Sequence, residues 1–365
     1  MLRRILIGLL VVIAVVVGYL LLMPVPIEPV AWESPPNPGY TGPYAVNETL
    51  KDVEMLAIGD NHGPEDIALD AEGRIYAATH EGRIIRLEAD GSGAATWVET
   101  GGRPLGIDFD GDGNLIVADA MQGLLSISPD ARITVLTRAA DDMPILYADD
   151  VDVAADGKIY FSDASTRFGA EQWGGTYEAS LLDLMEHGGH GRLLVHDRAD
   201  GSTRVVLGGL SFANGVAVAH DQRSVLVNET GAYRVHRVWI EGPKAGTSEI
   251  LIDALPGFPD NISAGREGRY WVALVSPRND LLDALSDKPF LRKVVQRLPK
   301  FLRPAAVAYG HVVAISDTGE VVADLQDPEG GYPIVTSVTE TDEYLYLGSL
   351  VAPVMARLPK GDAGL

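Results

Sequence analysis

The chain has 365 residues, 46% of them hydrophobic, and a net charge of −22. That length suits one large domain or two ordinary ones, with enough apolar residues for a core. The negative charge argues against a nucleic-acid partner, because phosphates would be repelled. With no cysteine there are no disulfides, thiolate metal sites or cysteine nucleophile.

The N-terminus opens with Arg3 and Arg4, followed by an uncharged apolar run from Ile5 to Met23. Those 19 residues nearly match the roughly 20 that a membrane-spanning helix needs. The run ends in Leu-Leu-Leu-Met-Pro, a poor signal-peptidase site. Residues 1–24 are therefore read as a transmembrane signal anchor. The arginines stay cytoplasmic, and the body lies on the outer side, periplasmic or lumenal. Six prolines between Pro24 and Pro38 make residues 25–44 a stiff, extended linker.

From there one motif recurs. The segments 72–87, 112–127, 156–165, 221–238, 267–277 and 342–358 each start on an acidic or turn-forming residue. Each continues into a β-branched or aromatic run, several with a second run after a turn. A second segment type precedes most copies: "GPEDIALD", "RPLGIDFD", "ADDVDVAA", "FANGVAVA" and "FPDNISAG". Such repetition indicates a ring of stacked sheets, since no single unit can bury both faces alone. The expected fold is all-β: a six-bladed β-propeller over 45–360, with residues near 45–58 completing the last blade.

Two insertions break the repeat. Residues 177–191 have helical spacing before a Gly-rich stop. A helical insertion near 280–303 places Lys288, Arg292, Lys293, Arg297, Lys300 and Arg303 among Leu, Phe and Val. The basic 288–303 segment reads either as a lid over one propeller face or as a contact with anionic lipid headgroups.

In a propeller the innermost strand of each blade lines the channel, and its entry loop points to one end. Those loops carry Glu65, Asp149 and Asp150, Asn214, and Asp260 with Asn261. Stacked radially, they converge on the axis. Several carboxylates aimed at one spot repel each other unless a cation neutralises them. An all-oxygen set without His or Cys suits a hard cation, and Ca2+ best. "DFDGDGNLIVAD", Asp108 to Asp119, nearly matches a helix-loop-helix calcium loop. Its flanks are strand-like, so a plain hairpin turn is expected, with a peripheral second Ca2+ as the alternative.

Taken in order, "GPEDI", "RPLGI", "DGKIYFSDAS", "FANGV", "LPGFPDNI", "GRYWVAL" and "LYLGSL" resemble the strictosidine synthase-like and adipocyte plasma membrane-associated protein family. That family lies within the calcium-dependent phosphotriesterase superfamily, with paraoxonases, gluconolactonases and regucalcin as more distant relatives. The resemblance spans about residues 50–358. It implies Ca2+ deep in the channel, held by Glu65, Asp149, Asn214, Asp260 and Asn261, with Asp260 also the catalytic general base. The family usually has Asn at the position of Asp149, and the added carboxylate should raise cation affinity. Small esters or lactones are the implied substrates. The paraoxonase histidine is missing, because Leu105 stands there, and His62 and His80 read as surface or structural residues. Strictosidine synthase uses a glutamate in its last blade, where this chain has Thr336 with Glu340 out of register, so the condensing reaction is disfavoured. A non-catalytic binding propeller with a structural Ca2+ is the remaining alternative.

Overall fold

The computed structural model describes all residues, 1–365. It is a six-bladed β-propeller: six four-stranded antiparallel sheets, each running outward from an inner strand. The inner strands are Ile67–Leu69, Pro104–Phe109, Ala148–Val153, Ala213–Val218, Gly257–Ala264 and Val335–Glu340 for blades 1 to 6. Second strands such as Leu115–Asp119 and Ile159–Asp163 are buried at every position. This fits their short continuous apolar runs, since a strand between two stacked blades has no solvent face.

Blade 6 is completed from the N-terminal side, as expected. Glu54–Ala57 pairs antiparallel with Val354–Pro359, in the register Glu54↔Arg357 through Ala57↔Val354. Arg357 clamps Glu54 with two hydrogen bonds, of 2.7 and 3.0 Å. Without disulfides, this strand and the joints between blades hold the ring.

Every joint carries side-chain-to-backbone bonds near the axis. Asp66 accepts from Ile107 N–H (2.9 Å), Asp108 from Val153 N–H (3.0 Å), and Asp150 from Val216 N–H (2.7 Å). Asn228 and Thr230 donate to the Asp260 and Pro259 carbonyls, and Ser263 to that of Val338. Thr336 closes the circle on the Glu65 carbonyl at 2.6 Å. Such bonds contribute about 1 kcal/mol each when made, and their buried groups cost more when left unmade.

The helices gather on one face. Thr176–Glu186 roofs the channel pocket and Pro289–Gln296 packs against it through Val295, the two forming a cap. The 25–44 segment is extended, as its prolines dictate, but it is bound to this cap along much of its length. Glu28 N–H donates to Glu186 (2.6 Å), Val30 N–H to the Glu186 carbonyl (2.8 Å), and Trp32 N–H to the Ser286 carbonyl (3.1 Å). Arg278 reaches Ser34 and the Pro35 and Pro36 carbonyls. The helix Leu2–Leu22 projects from the body with none of its residues buried, and is long and apolar enough to cross a membrane.

Candidate functional site

Five inner strands share one irregularity. In blades 2 to 6 two residues oppose a single residue of the second strand. The pairs are Leu105–Gly106, Asp149–Asp150, Asn214–Gly215, Asp260–Asn261 and Thr336–Ser337. Glu65–Asp66 occupies the corresponding place in blade 1, where Glu65 N–H bonds the Ala78 carbonyl and Ala78 N–H bonds that of Asp66. A bulge bends the strand and re-aims its side chains. Repeated around the ring, it turns Leu105, Asp149, Asn214 and Asp260 toward the same end of the channel.

That geometry brings the sequence-predicted residues together. Glu65, Asp149, Asn214, Asp260 and Asn261 are all buried. Asn214 Nδ2 donates to Asp260 Oδ1, and Asn261 Nδ2 lies 3.2 Å from Glu65 Oε1. Burial, then the charges of Asp260 and Asp149, push the Glu65 carboxyl well above its ordinary range. Burial and Asp260 do the same to Asp149, against the opposing charge of Arg103. Burial raises Asp260 to about 7, and its bond from Asn214 offsets part of that rise.

Three acceptor oxygens in this set have no donor: Asp149 Oδ2, Asn214 Oδ1 and Asn261 Oδ1. A buried acceptor without a partner costs roughly 1–3 kcal/mol. His, Cys, Asp and Glu side chains alone form no three-membered metal cluster, so any cation site here depends on the two amides. The donor set is all oxygen, and its unmet acceptors sit among mutually repelling carboxylates. These residues fit a hard divalent cation.

Asp150 faces away from this set, onto Val216 N–H. With Asp66, Asp108 and Asp152 it lines an opening at the other end of the channel, and Asn261 borders that opening rather than the pocket floor. The Asp108–Asp119 stretch is a hairpin turn. Asp110 accepts from Asp112 and Asn114 N–H and from Arg198 (2.7 Å), and Asp119 accepts from Arg103 N–H and Thr100. His62 bonds Glu81 at 2.5 Å with its ring 4.6 Å from that of His80, and neither lines the pocket. Glu340 is bound by Arg269, Trp271 and Lys360.

Above the buried oxygens lies a pocket of about 110 Å³, partly open to solvent, in which 13 of 23 lining residues are hydrophobic. Glu65, Asp149, Asn214 and Asp260 form its polar floor; Leu181, Leu184, Leu282 and Ala306 belong to its walls. Sequence reading missed Tyr147, Phe212 and Phe258, which also line it. The signal was there: each lies two residues before a first bulge residue, and alternate strand residues face the same side. It also missed Arg103, a buried guanidinium whose Nε and Nη2 have no partner and whose charge opposes the acidic floor.

Comparison with known proteins agrees with this architecture. A strictosidine synthase-like N-terminal family model matches residues 42–87, and a strictosidine synthase model matches 149–243. The adipocyte plasma membrane-associated protein of Rattus norvegicus is 33% identical over 367 residues, covering 93% of this chain and 95% of the relative. A strictosidine synthase-like protein of Arabidopsis thaliana is 36% identical over 316 residues, covering 84% and 82%. Among solved structures, a gluconolactonase from Xanthomonas campestris superposes with TM-score 0.62 at 15% identity, covering 90% of this chain and 99% of that one. Regucalcin from Agrobacterium tumefaciens gives 0.58 at 13%, covering 84% and 93%. At so low an identity these two structures speak to fold alone. With a third of its residues matched over nearly its full length, the chain belongs to the strictosidine synthase-like family that includes adipocyte plasma membrane-associated protein.

Proposed function

We propose that this protein is a membrane-anchored, calcium-dependent hydrolase of small esters or lactones. One observation carries the reading: buried, donorless oxygens of Asp149 and Asn214 stand with Glu65 and Asp260 at the foot of an apolar pocket, and Asn261, its own oxygen donorless, lies against Glu65. Held by those five residues, Ca2+ would supply Lewis-acid polarisation of a carbonyl oxygen. The pocket walls hold the apolar part of the substrate and exclude water from it. Asp260 takes a proton from the water that attacks the carbonyl carbon. It returns that proton to the alcohol oxygen as the ester C–O bond breaks. Leu105 offers no imidazole for this step, so the proton work falls to the carboxylate. Thr336 spends its hydroxyl on the Glu65 carbonyl and Glu340 is tied to Arg269, which disfavours a condensing reaction. Arg3 and Arg4, ahead of the apolar helix, support an orientation with the N-terminus in the cytoplasm and the propeller across the bilayer from it.

The test uses the full chain in nanodiscs. Calorimetric Ca2+ titration should show a tight site that weakens in Asp149→Asn, which keeps the shape and removes a charge. Aryl-ester and lactone hydrolysis should appear with Ca2+, vanish with chelator, and fall by orders of magnitude in Asp260→Asn. Ca2+ binding without hydrolysis across the series would favour the binding-propeller alternative. Neither binding nor hydrolysis would end both readings.

A further inference from the structure

We infer that the helical cap rests on the same bilayer that holds the N-terminal helix, so that the pocket opens at the lipid interface and draws amphiphilic molecules from it. The helix Leu2–Leu22 has no buried residue and is apolar from Ile5 onward, as suits a helix covered by a bilayer. Its last carbonyls, those of Leu20 and Met23, accept hydrogen bonds from Arg297 at 2.9 and 2.5 Å. Four residues past Met23, Ile27 is fully buried in an apolar cluster with Phe168, Leu182 and Val295 of the cap. An extended chain covers at most about 3.6 Å per residue, so the cap stands within roughly 15 Å of the helix end. Lys293 also bonds Glu28, and Arg292 bonds the Val30 carbonyl. The propeller therefore cannot stand off from the membrane on a free tether.

What the cap shows there suits a lipid surface. Phe301 is 84% exposed, Phe290 54% and Leu302 53%, and Leu291 and Val307 are exposed as well. Lys288 and Lys300 stand among them, both exposed, on a chain whose net charge is −22. Phe290 precedes Arg297 by seven residues of largely helical chain, about 10 Å at 1.5 Å per residue. Phe301 follows it by four. Apolar side chains interleaved with cations, next to the end of a spanning helix, fit a headgroup boundary carrying anionic lipid. Residues 288–303 carry six cations and no acid, which makes this segment the part of the acidic molecule that such a surface attracts.

Pro304, Ala305 and Ala306 follow directly and are pocket walls, and Ala306 N–H donates to the Tyr177 hydroxyl at 3.1 Å. The same short stretch is thus both interface and pocket rim. The acid-lined opening of Asp66, Asp108, Asp150 and Asp152 lies at the other end of the channel. Molecules with an acyl chain and a polar head partition to the interface, and the pocket's apolar walls and oxygen floor match that division. Docking stands without catalysis; only the word substrate for these amphiphiles rests on the hydrolase reading.

The chain has no cysteine, so a single one can be introduced cleanly. Phe301→Cys, and Asp112→Cys in an exposed turn at the far end of blade 2, are each labelled with an environment-sensitive fluorophore. The full chain is then placed in nanodiscs whose lipids carry a shallow spin-label quencher. The label at 301 should be quenched several-fold more than that at 112, and further when phosphatidylserine is added. Equal quenching, or a label at 301 shielded from lipid by a protein partner, overturns the docking. In a second arm, wild type and a Phe301→Ser/Leu302→Ser double variant hydrolyse short, water-soluble and long-chain, membrane-partitioned aryl esters. The variant should keep short-ester hydrolysis and lose several-fold on the long ester; an equal change on both overturns interfacial uptake. Quenching as expected with no hydrolysis of either ester would sink the hydrolase reading and leave the docking intact.

Discussion

Gly215 shows how a single residue shapes the site. It is the second bulge residue of blade 4, and a Cβ there would meet the backbone of Asp260, Asn261 and Ile262 in blade 5. Gly106 stands in the same relation to the Asp150 backbone of blade 3. Glycine is needed at these points because the next blade's main chain occupies the space; neither residue has a positive φ. Gly215→Ala should therefore cost about 1–3 kcal/mol, the range for overpacking against atoms that cannot turn aside. Because the displaced atoms belong to Asp260 and Asn261, cation affinity should fall as well. Denaturant unfolding together with Ca2+ titration checks both; an unchanged midpoint would mean that the blades separate easily. The oxygen donors were legible because they recur in register before a β-branched residue. The glycines beside them look like ordinary turn residues until the neighbouring blade is in place.

Two elements carry more than their local sequence suggests. The strand Glu54–Ala57 closes the ring, and Leu56 is its one buried residue, packed with Ile58, Tyr346 and Met355. Leu56→Ala should cost about 2–5 kcal/mol by transfer and cavity terms. As the strand is also the outer edge of blade 6, paired directly with Val354–Pro359, hydrogen exchange should speed first in Val354–Pro359. Uniform acceleration across all blades would show that closure does not depend on this strand. In the basic segment, sequence gave six cations with no means of sorting them. Arg292 is 1% exposed and turns inward to the Val30, Ser286 and Met185 carbonyls, while Arg297 holds the end of the anchor helix. Guanidinium groups serve there because each donates several hydrogen bonds in a fixed plane.

At the scale of the whole molecule, stability should peak on the acidic side of neutrality. Burial raises Asp183 from 3.8 to about 7, and raises Asp108, Asp150 and Asp152 in the same direction. Such groups bind protons more tightly folded than unfolded, so stability declines as pH rises from 3.8 through the folded values. Glu229 acts the other way. Against the cost of burial, bonds from His236, Arg234 and Ser211 hold it at about 2, so its contribution is lost as pH falls from 4.5 toward 2. In chelator, the melting temperature of the full chain should drop between pH 5 and pH 8. Asp183→Asn should remove part of that slope, on the order of a few kcal/mol in stability at neutral pH. A flat profile, or a slope unchanged in the variant, would count against buried protonated carboxyls.

By itself the sequence determined the long apolar N-terminal helix, the six-fold repeat, the closing N-terminal strand and the oxygen-rich residues facing the channel. These follow from periodicity and composition, which act over a few residues at a time. Only the tertiary structure decided which residue of each acidic or amide pair faces the pocket and which one stitches to the next blade. The same holds for the linker lying against the cap and for the inward turn of two arginines. Each of those outcomes depends on a hydrogen-bond partner or a backbone tens to hundreds of residues away, and local sequence carries no record of that distance.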